Sequence, residues 1–281
     1  RTQRIRIGSA GVMLPHYSAL KVAEQFRMLN ALAPGRMDLG VGRAPGSDGR
    51  TAQVLNPDRY ASERFPQQVL ELQAWITGTP LPVGHPGHGV FAYPSSDTTP
   101  DIWMLGSSDY GAQLAAHLSL PYAFAYFITE GQGLETALDL YRQNFRPTEQ
   151  RPKAHATVCV WALAADTEEQ AWHLFKSRAR WRMDRNLGRI GPVMPPDQAE
   201  RDYSPAEQLD LAQLKANALV GSGPQVANKL RALAQRMDID EIVVITWTHD
   251  PVHQRRSYEL LAKEFAWGQR APSPELETAL S

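Results

Sequence analysis

The 281-residue chain has a single cysteine, Cys159. An internal disulfide, and with it the stapled scaffold of a small secreted domain, is therefore excluded, and a reducing, cytoplasmic setting is expected. No apolar run approaches the roughly 18 residues needed to span a bilayer; the longest, Pro121–Ile128 and Val158–Ala165, have the length of buried strands. Neither sign of charge is in excess. Lys+Arg number 29 and Asp+Glu 30, a formal net charge of −1, so a polyelectrolyte nucleic-acid binder is not expected. Signal peptide and initiator Met are both missing, and the chain is expected to lack its leading part. The eight histidines form neither H-E-x-x-H nor H-x-x-E-H, so no metal is expected. A Gly-x-Ser-x-Gly nucleophile elbow is also missing. What remains is 43% hydrophobic and 21% charged, a composition that excludes wholesale disorder.

Short segments rich in β-branched or aromatic residues recur along the chain, at Arg4–Gly8, Arg36–Gly42, Ile102–Gly106, Tyr122–Phe127, Ala156–Ala164 and Glu241–Trp247. Between them lie helical patterns. Ser18 can cap a helix whose Leu20, Ala23, Phe26, Leu29 and Leu32 share one face. Others are predicted over Ser62–Ile76, Asp109–Leu118, Leu134–Phe145, Thr167–Met183, Pro224–Met237 and Pro251–Phe265. Strand–helix alternation of this kind implies a parallel sheet. Six strands suit an open doubly wound sheet; a closed eight-stranded barrel needs two more. Residues 80–100 and 186–210 read as inserted loops in a single domain covering residues 1–281.

Three strand ends carry polar or glycine-rich residues: Gly8-Ser9-Ala10-Gly11, Gly40–Asp48 and Gly106-Ser107-Ser108-Asp109-Tyr110-Gly111. In parallel α/β folds such ends line the ligand site. Ser107-Ser108 stands between a strand and a helix, where free N–H groups and hydroxyls can hold an anion; the plainer reading is that Ser108 or Asp109 only caps the helix. Arg43, just past a strand, can grip a phosphate; the plainer reading pairs it with Asp48 or Asp38. Gly40 and Gly42 mark space kept for a ligand or a bulge. His16 can contact a substrate or serve as an ordinary loop residue. Tyr17, Phe91, Phe127, Trp247 and His249 can line a pocket or pack in the core. Trp161, Trp172 and Trp181 read as packing, and Arg178, Arg180, Arg182 and Arg185 as a solvated helix face.

The blocks Gly8–His16, Ala23–Phe26, Pro34–Gly46, Ile102–Ser108 and Asp240–Val244 together resemble the bacterial-luciferase-like flavin monooxygenases, over roughly Arg4 to Ala266. The resemblance implies an α/β fold, the (β/α)8 TIM barrel of the luciferase-like type, without its first two βα units in this chain. It implies FMN as cofactor, reduced by a separate flavin reductase. By position, Arg43 and Ser107-Ser108 would hold the flavin phosphate, with Tyr110 and Gly111 in the same turn, although the family often has a hydroxyl residue where Gly111 stands; Gly42 and Gly106 are also expected to be cofactor-binding. Ser9, Ala10 and Gly11 would lie beside the ring, with a cis peptide between Ala10 and Gly11. The upstream segment of family members carries a Glu-His-His motif near the reacting flavin, so the catalytic residues of this chain are unassigned, with His16 the candidate in the substrate pocket. The Ser18 helix would face a partner subunit in a homodimer or higher homo-oligomer, and residues 186–210 would form a lid.

The first expectation is thus oxygenation of a small organic substrate with reduced FMN and O₂. A deazaflavin-dependent oxidoreductase and a non-catalytic flavin-binding protein are the alternatives. A sugar-phosphate lyase ranks last, because no Lys follows a strand in a Schiff-base position.

Overall fold

The computed structural model describes residues 2–189 and 191–266. In chain order the elements are β1 (Ile7–Met13), α1 (Ala19–Leu32), β2 (Met37–Gly42), α2 (Gly49–Leu55), α3 (Phe65–Thr77), β3 (Asp101–Gly106), α4 (Asp109–His117), β4 (Tyr122–Ala125), α5 (Tyr126–Thr129), α6 (Leu134–Asn144), β5 (Ala156–Ala165), α7 (Glu168–Asn186), α8 (Pro205–Ala216), β6 (Leu219–Ser222), α9 (Gly223–Met237), β7 (Ile242–Ile245) and α10 (Pro251–Glu264). The predicted alternation is present, with one strand more than the six expected. That strand, β6, is only four residues long. Its last residue, Ser222, is also the N-cap of α9, so the helix-start signal conceals the strand. The chain divides into two compact units, one formed by residues up to Ala125 with Gly133–Thr157, the other by Tyr126–Gln132 with residues from Val158 onward.

In the first unit β1 to β4 lie side by side and parallel: Ile7 pairs with Met37, Asp38 with Asp101, and Met104 with Tyr122. Parallel neighbours place all four carboxyl ends on one edge. The glycine run Gly8–Gly11 reads as the end of the first strand, yet the strand continues to Met13. The reason is a bulge. Ser9 lies opposite Leu39 and Val12 opposite Val41, so Ala10 and Gly11 together oppose Gly40. The Ala10–Gly11 peptide is cis. A Cβ on Gly11 would lie 2.5 Å from the Gly40 oxygen, and one on Gly40 would overlap the Ser9 oxygen. The space at Gly40 is therefore filled by the neighbouring backbone.

Arg27, buried on α1, ties the unit's helical layer together. Its guanidinium donates to the Trp75 and Ile76 carbonyls at 2.9 Å each and to the Pro94 carbonyl at 2.7 Å. A cation is favourable at the carboxyl end of α3, and the same group pins the irregular 80–100 segment.

In the second unit β5 is flanked by β6 and β7, all parallel; Ala162 pairs with Leu219 and Val158 with Ile242. Trp161, Leu163 and Ala165 of β5 pack on Leu174, Phe175, Ala179 and Met183 of α7. Arg178 corrects the reading of a solvated arginine face. It lies four residues after Leu174 and three after Phe175, on the buried stripe, and is 2% exposed. Its guanidinium sits 4.5 Å from the Trp161 ring and 4.9 Å from the Trp247 ring and meets Glu130 at 2.6 Å. Trp247, offered as pocket lining, is thus part of this stack.

The 186–210 stretch is also more ordered than its prolines suggest, because α8 begins inside it. Ser204 and Glu207 form a reciprocal capping box, with Ser204 N donating to Glu207 at 2.9 Å and Glu207 N to Ser204 Oγ at 3.3 Å. The prolines are compatible with it, since Pro205 occupies the first helical turn.

Two predictions follow from this packing. Gly40→Ala should cost about 1–3 kcal/mol through overpacking, read as a lower urea midpoint at unchanged slope; an unchanged midpoint would contradict the close backbone approach. Hydrogen bonds from Arg201 and then Ser204 push the Glu207 carboxyl down to about 2, from 4.5. A carboxyl lowered by folding stabilises above its unfolded value, and that contribution fades as the pH falls towards the folded one. The melting temperatures of the wild type and of Glu207→Gln should therefore converge between pH 4.5 and about 2. A gap independent of pH would refute the assignment.

Candidate functional site

The carboxyl edge of the first unit carries the chemistry. Arg43 follows β2 directly, and its guanidinium carbon lies 4.1 Å from the centre of the Tyr110 ring in the first turn of α4. Neither expected carboxylate takes it. Asp38 accepts from Arg6 at 2.6 Å and from Trp103 Nε1 at 3.2 Å. Asp48 caps α2, accepting from the Arg50 and Thr51 amides at 2.9 and 3.1 Å, and hydrogen bonds from Thr51 hold its carboxyl below the usual range. Arg43 has no ion pair among the described residues, and stacking on an aromatic face leaves the edge of the guanidinium free to donate.

Ser107 and Ser108 join β3 to α4. Ser108 occupies the N-cap position, but its side chain makes no capping hydrogen bond. The plainer reading of Ser108 as a cap is therefore not what its hydroxyl does. Tyr110, on which Arg43 stacks, is in the first turn of α4, whose leading N–H groups have no intrahelical acceptor. The turn is supported from below. Gly106 and Gly111 face each other, and a Cβ on Gly106 would lie 3.5 Å from the Gly111 Cα, in ordinary van der Waals contact. Buried Tyr122 donates its hydroxyl to the Ser108 carbonyl at 3.3 Å. Burial pushes the Tyr122 phenol well above its ordinary range, so it remains a donor.

The remaining candidates border this cluster. Ser9 donates to the Gly40 carbonyl at 3.0 Å, so its hydroxyl is engaged in the sheet. Ala10 and Gly11 are exposed on the bulge. His16 Nε2 lies 3.1 Å from the Pro45 carbonyl, in the loop that carries Arg43. A carbonyl only accepts, so Nε2 donates here. Nδ1 is buried and has no partner among the described residues.

Arg43, Ser107, Ser108, Tyr110, Gly106 and Gly111 are thus brought together, with Gly42 at the strand end beneath Arg43. The sequence names Tyr110 only as a member of the turn, not as a platform for Arg43, and it misses Tyr122 entirely. No spacing rule pairs either with its partner, because both contacts join different strand ends.

The sequence model of the luciferase-like monooxygenases matches residues 1–240. A luciferase-like monooxygenase of Escherichia coli (strain K12) is 40% identical over 263 residues, 92% of this chain and 76% of that protein. The crystal structure of apo-MsnO8 superposes with a TM-score of 0.81 at 31% identity, covering 93% of this chain and 78% of the other. At lower identity the fold alone is shared. The FMN complex of the oxygenating constituent of 3,6-diketocamphane monooxygenase, from a Pseudomonas putida plasmid, gives 0.64 at 18%, covering 94% and 79%. An F420-dependent secondary alcohol dehydrogenase gives 0.65 at 12%, covering 92% and 78%. The strand–helix order is that of the luciferase-like barrel, and the chain belongs to the luciferase-like monooxygenase family.

Proposed function

We propose that this monooxygenase uses FMN, delivered in reduced form by a separate flavin reductase, to oxygenate a small organic substrate with O₂. The observation that carries the reading is Arg43: a guanidinium with no carboxylate partner among the described residues, stacked on Tyr110 beside a serine pair that spends no hydroxyl on capping. A phosphate dianion fits these donors. Arg43 offers a fork of N–H groups, Ser107 and Ser108 offer hydroxyls, and the start of α4 offers backbone N–H groups and its positive dipole end. Gly106 and Gly111 let the turn sit close to its ligand, while Tyr122 fixes the Ser108 peptide.

Beside the phosphate, the exposed Ala10–Gly11 bulge gives the flavin ring a flat surface free of large side chains, with Ser9 held to the sheet beneath it. Bound reduced FMN supplies the electrons for activating O₂. The chain's task is to fix that group, orient it and exclude water around it. His16, whose Nδ1 has no partner among the described residues, is the candidate for contacting the substrate. Homo-oligomer formation through α1 is supported by exposed Met28, Leu29 and Leu32 on that helix.

An F420-dependent relative by fold keeps the deazaflavin alternative in the comparison. Substrate-dependent O₂ uptake with enzymatically reduced FMN tests the choice; hydride transfer with reduced deazaflavin and no O₂ uptake would reverse it. Arg43→Ala should weaken FMN binding roughly 10- to 100-fold, as expected for a lost charged hydrogen bond. Ser108→Ala should weaken it several-fold yet leave the melting temperature unchanged, because no cap is lost. FMN affinity unchanged in both variants would refute the site.

A further inference from the structure

Arg43 stands on an exposed loop between β2 and α2, and its stack on Tyr110 restrains only the far end of its side chain. The backbone of that loop is met by the end of β1. Met13 is the register partner of Gly42, the residue before Arg43. Its side chain then reaches the other side of Arg43: a Cβ on Gly46 would overlap the Met13 Sδ and lie 3.2 Å from the Met13 Cγ. The thioether thus occupies the space that a side chain at position 46 would need. Gly46 also has a φ of 66°, in the left-handed region that glycine enters without steric cost.

The support is itself anchored. Leu14, next in the chain, is fully buried, and the Pro15 carbonyl accepts from Asn56 Nδ2 at 2.7 Å. His16 Nε2 adds a hydrogen bond to the Pro45 carbonyl at 3.1 Å. An unbranched, polarizable thioether suits such a contact, because it follows the irregular outline of a turn. Ordering a loop costs conformational entropy. A loop already fixed in its binding shape leaves less of that cost to be met when the ligand arrives.

We propose that Met13 is a positioning residue of the phosphate site: its thioether, seated against Gly46, holds the loop in the shape that presents Arg43. This role rests on the FMN reading of the site and extends it to a residue that acts through Arg43.

The test is the ratio of riboflavin to FMN dissociation constants, measured for the full chain and for Met13→Ala, Met13→Leu, Gly46→Ala, Arg43→Ala and the double variant Met13→Ala/Arg43→Ala. Met13→Ala should lower the preference for FMN roughly three- to tenfold, while Met13→Leu, of similar volume, keeps it within about twofold. Gly46→Ala, which puts a methyl group where the thioether lies, should lower it as well, and it carries the test should Met13→Ala not fold. In the Arg43→Ala background, Met13→Ala should change the ratio no further. A merely structural role would lower the melting temperature and weaken both flavins alike, leaving the ratio unchanged. A wild-type preference for FMN that survives in Met13→Ala and Gly46→Ala would overturn this role alone, as would an equal loss with and without Arg43. No preference in the wild type would instead refute the cofactor reading, and this role with it.

Discussion

An arginine without a carboxylate partner among the described residues organises the carboxyl edge of the first unit. Both acidic residues near it in sequence have other duties, Asp38 with Arg6 and Trp103, and Asp48 with the start of α2. The guanidinium rests on Tyr110, and that contact exists only because β2 and β3 are parallel neighbours. Parallel pairing brings the end of one strand beside the helix that follows the other. A cation, two hydroxyls and a helix start then share one small region, without any metal-type motif in the sequence.

Support for that region comes from backbone packing. The bulge at Ala10–Gly11 and the bare Gly40 let two strands approach more closely than any side chain permits. Beneath the serine turn Gly106 and Gly111 face each other, and Tyr122 reaches the Ser108 carbonyl. Glycine at positions 11 and 40 is a structural requirement of the strand edge that carries the site.

Much of this was legible in the sequence. The β/α order and the candidate turn residues follow from local signals, and the blocks around Gly8–His16 and Pro34–Gly46 carry the family. Local signals failed where long-range packing decides. Gly8–Gly11 looks like a strand end because glycine usually ends strands, yet here it accommodates a bulge. Arg178 looks solvated because arginine usually is, yet its helix phase turns it into the core, where Trp161, Trp247 and Glu130 receive it. β6 is hidden by its brevity and by the helix cap it shares. The partners of Arg43 and Ser108 lie on other elements, α4 and β4, so periodicity could not find them.

The most direct measurement is the ratio of riboflavin to FMN dissociation constants, obtained by quenching of flavin fluorescence. The two ligands share a ring and differ at the phosphate. The expected result is a preference for FMN of tenfold or more that disappears in Arg43→Ala. Equal affinity for both ligands in the wild-type chain would contradict a phosphate grip at Arg43 and remove the physical basis for the cofactor assignment.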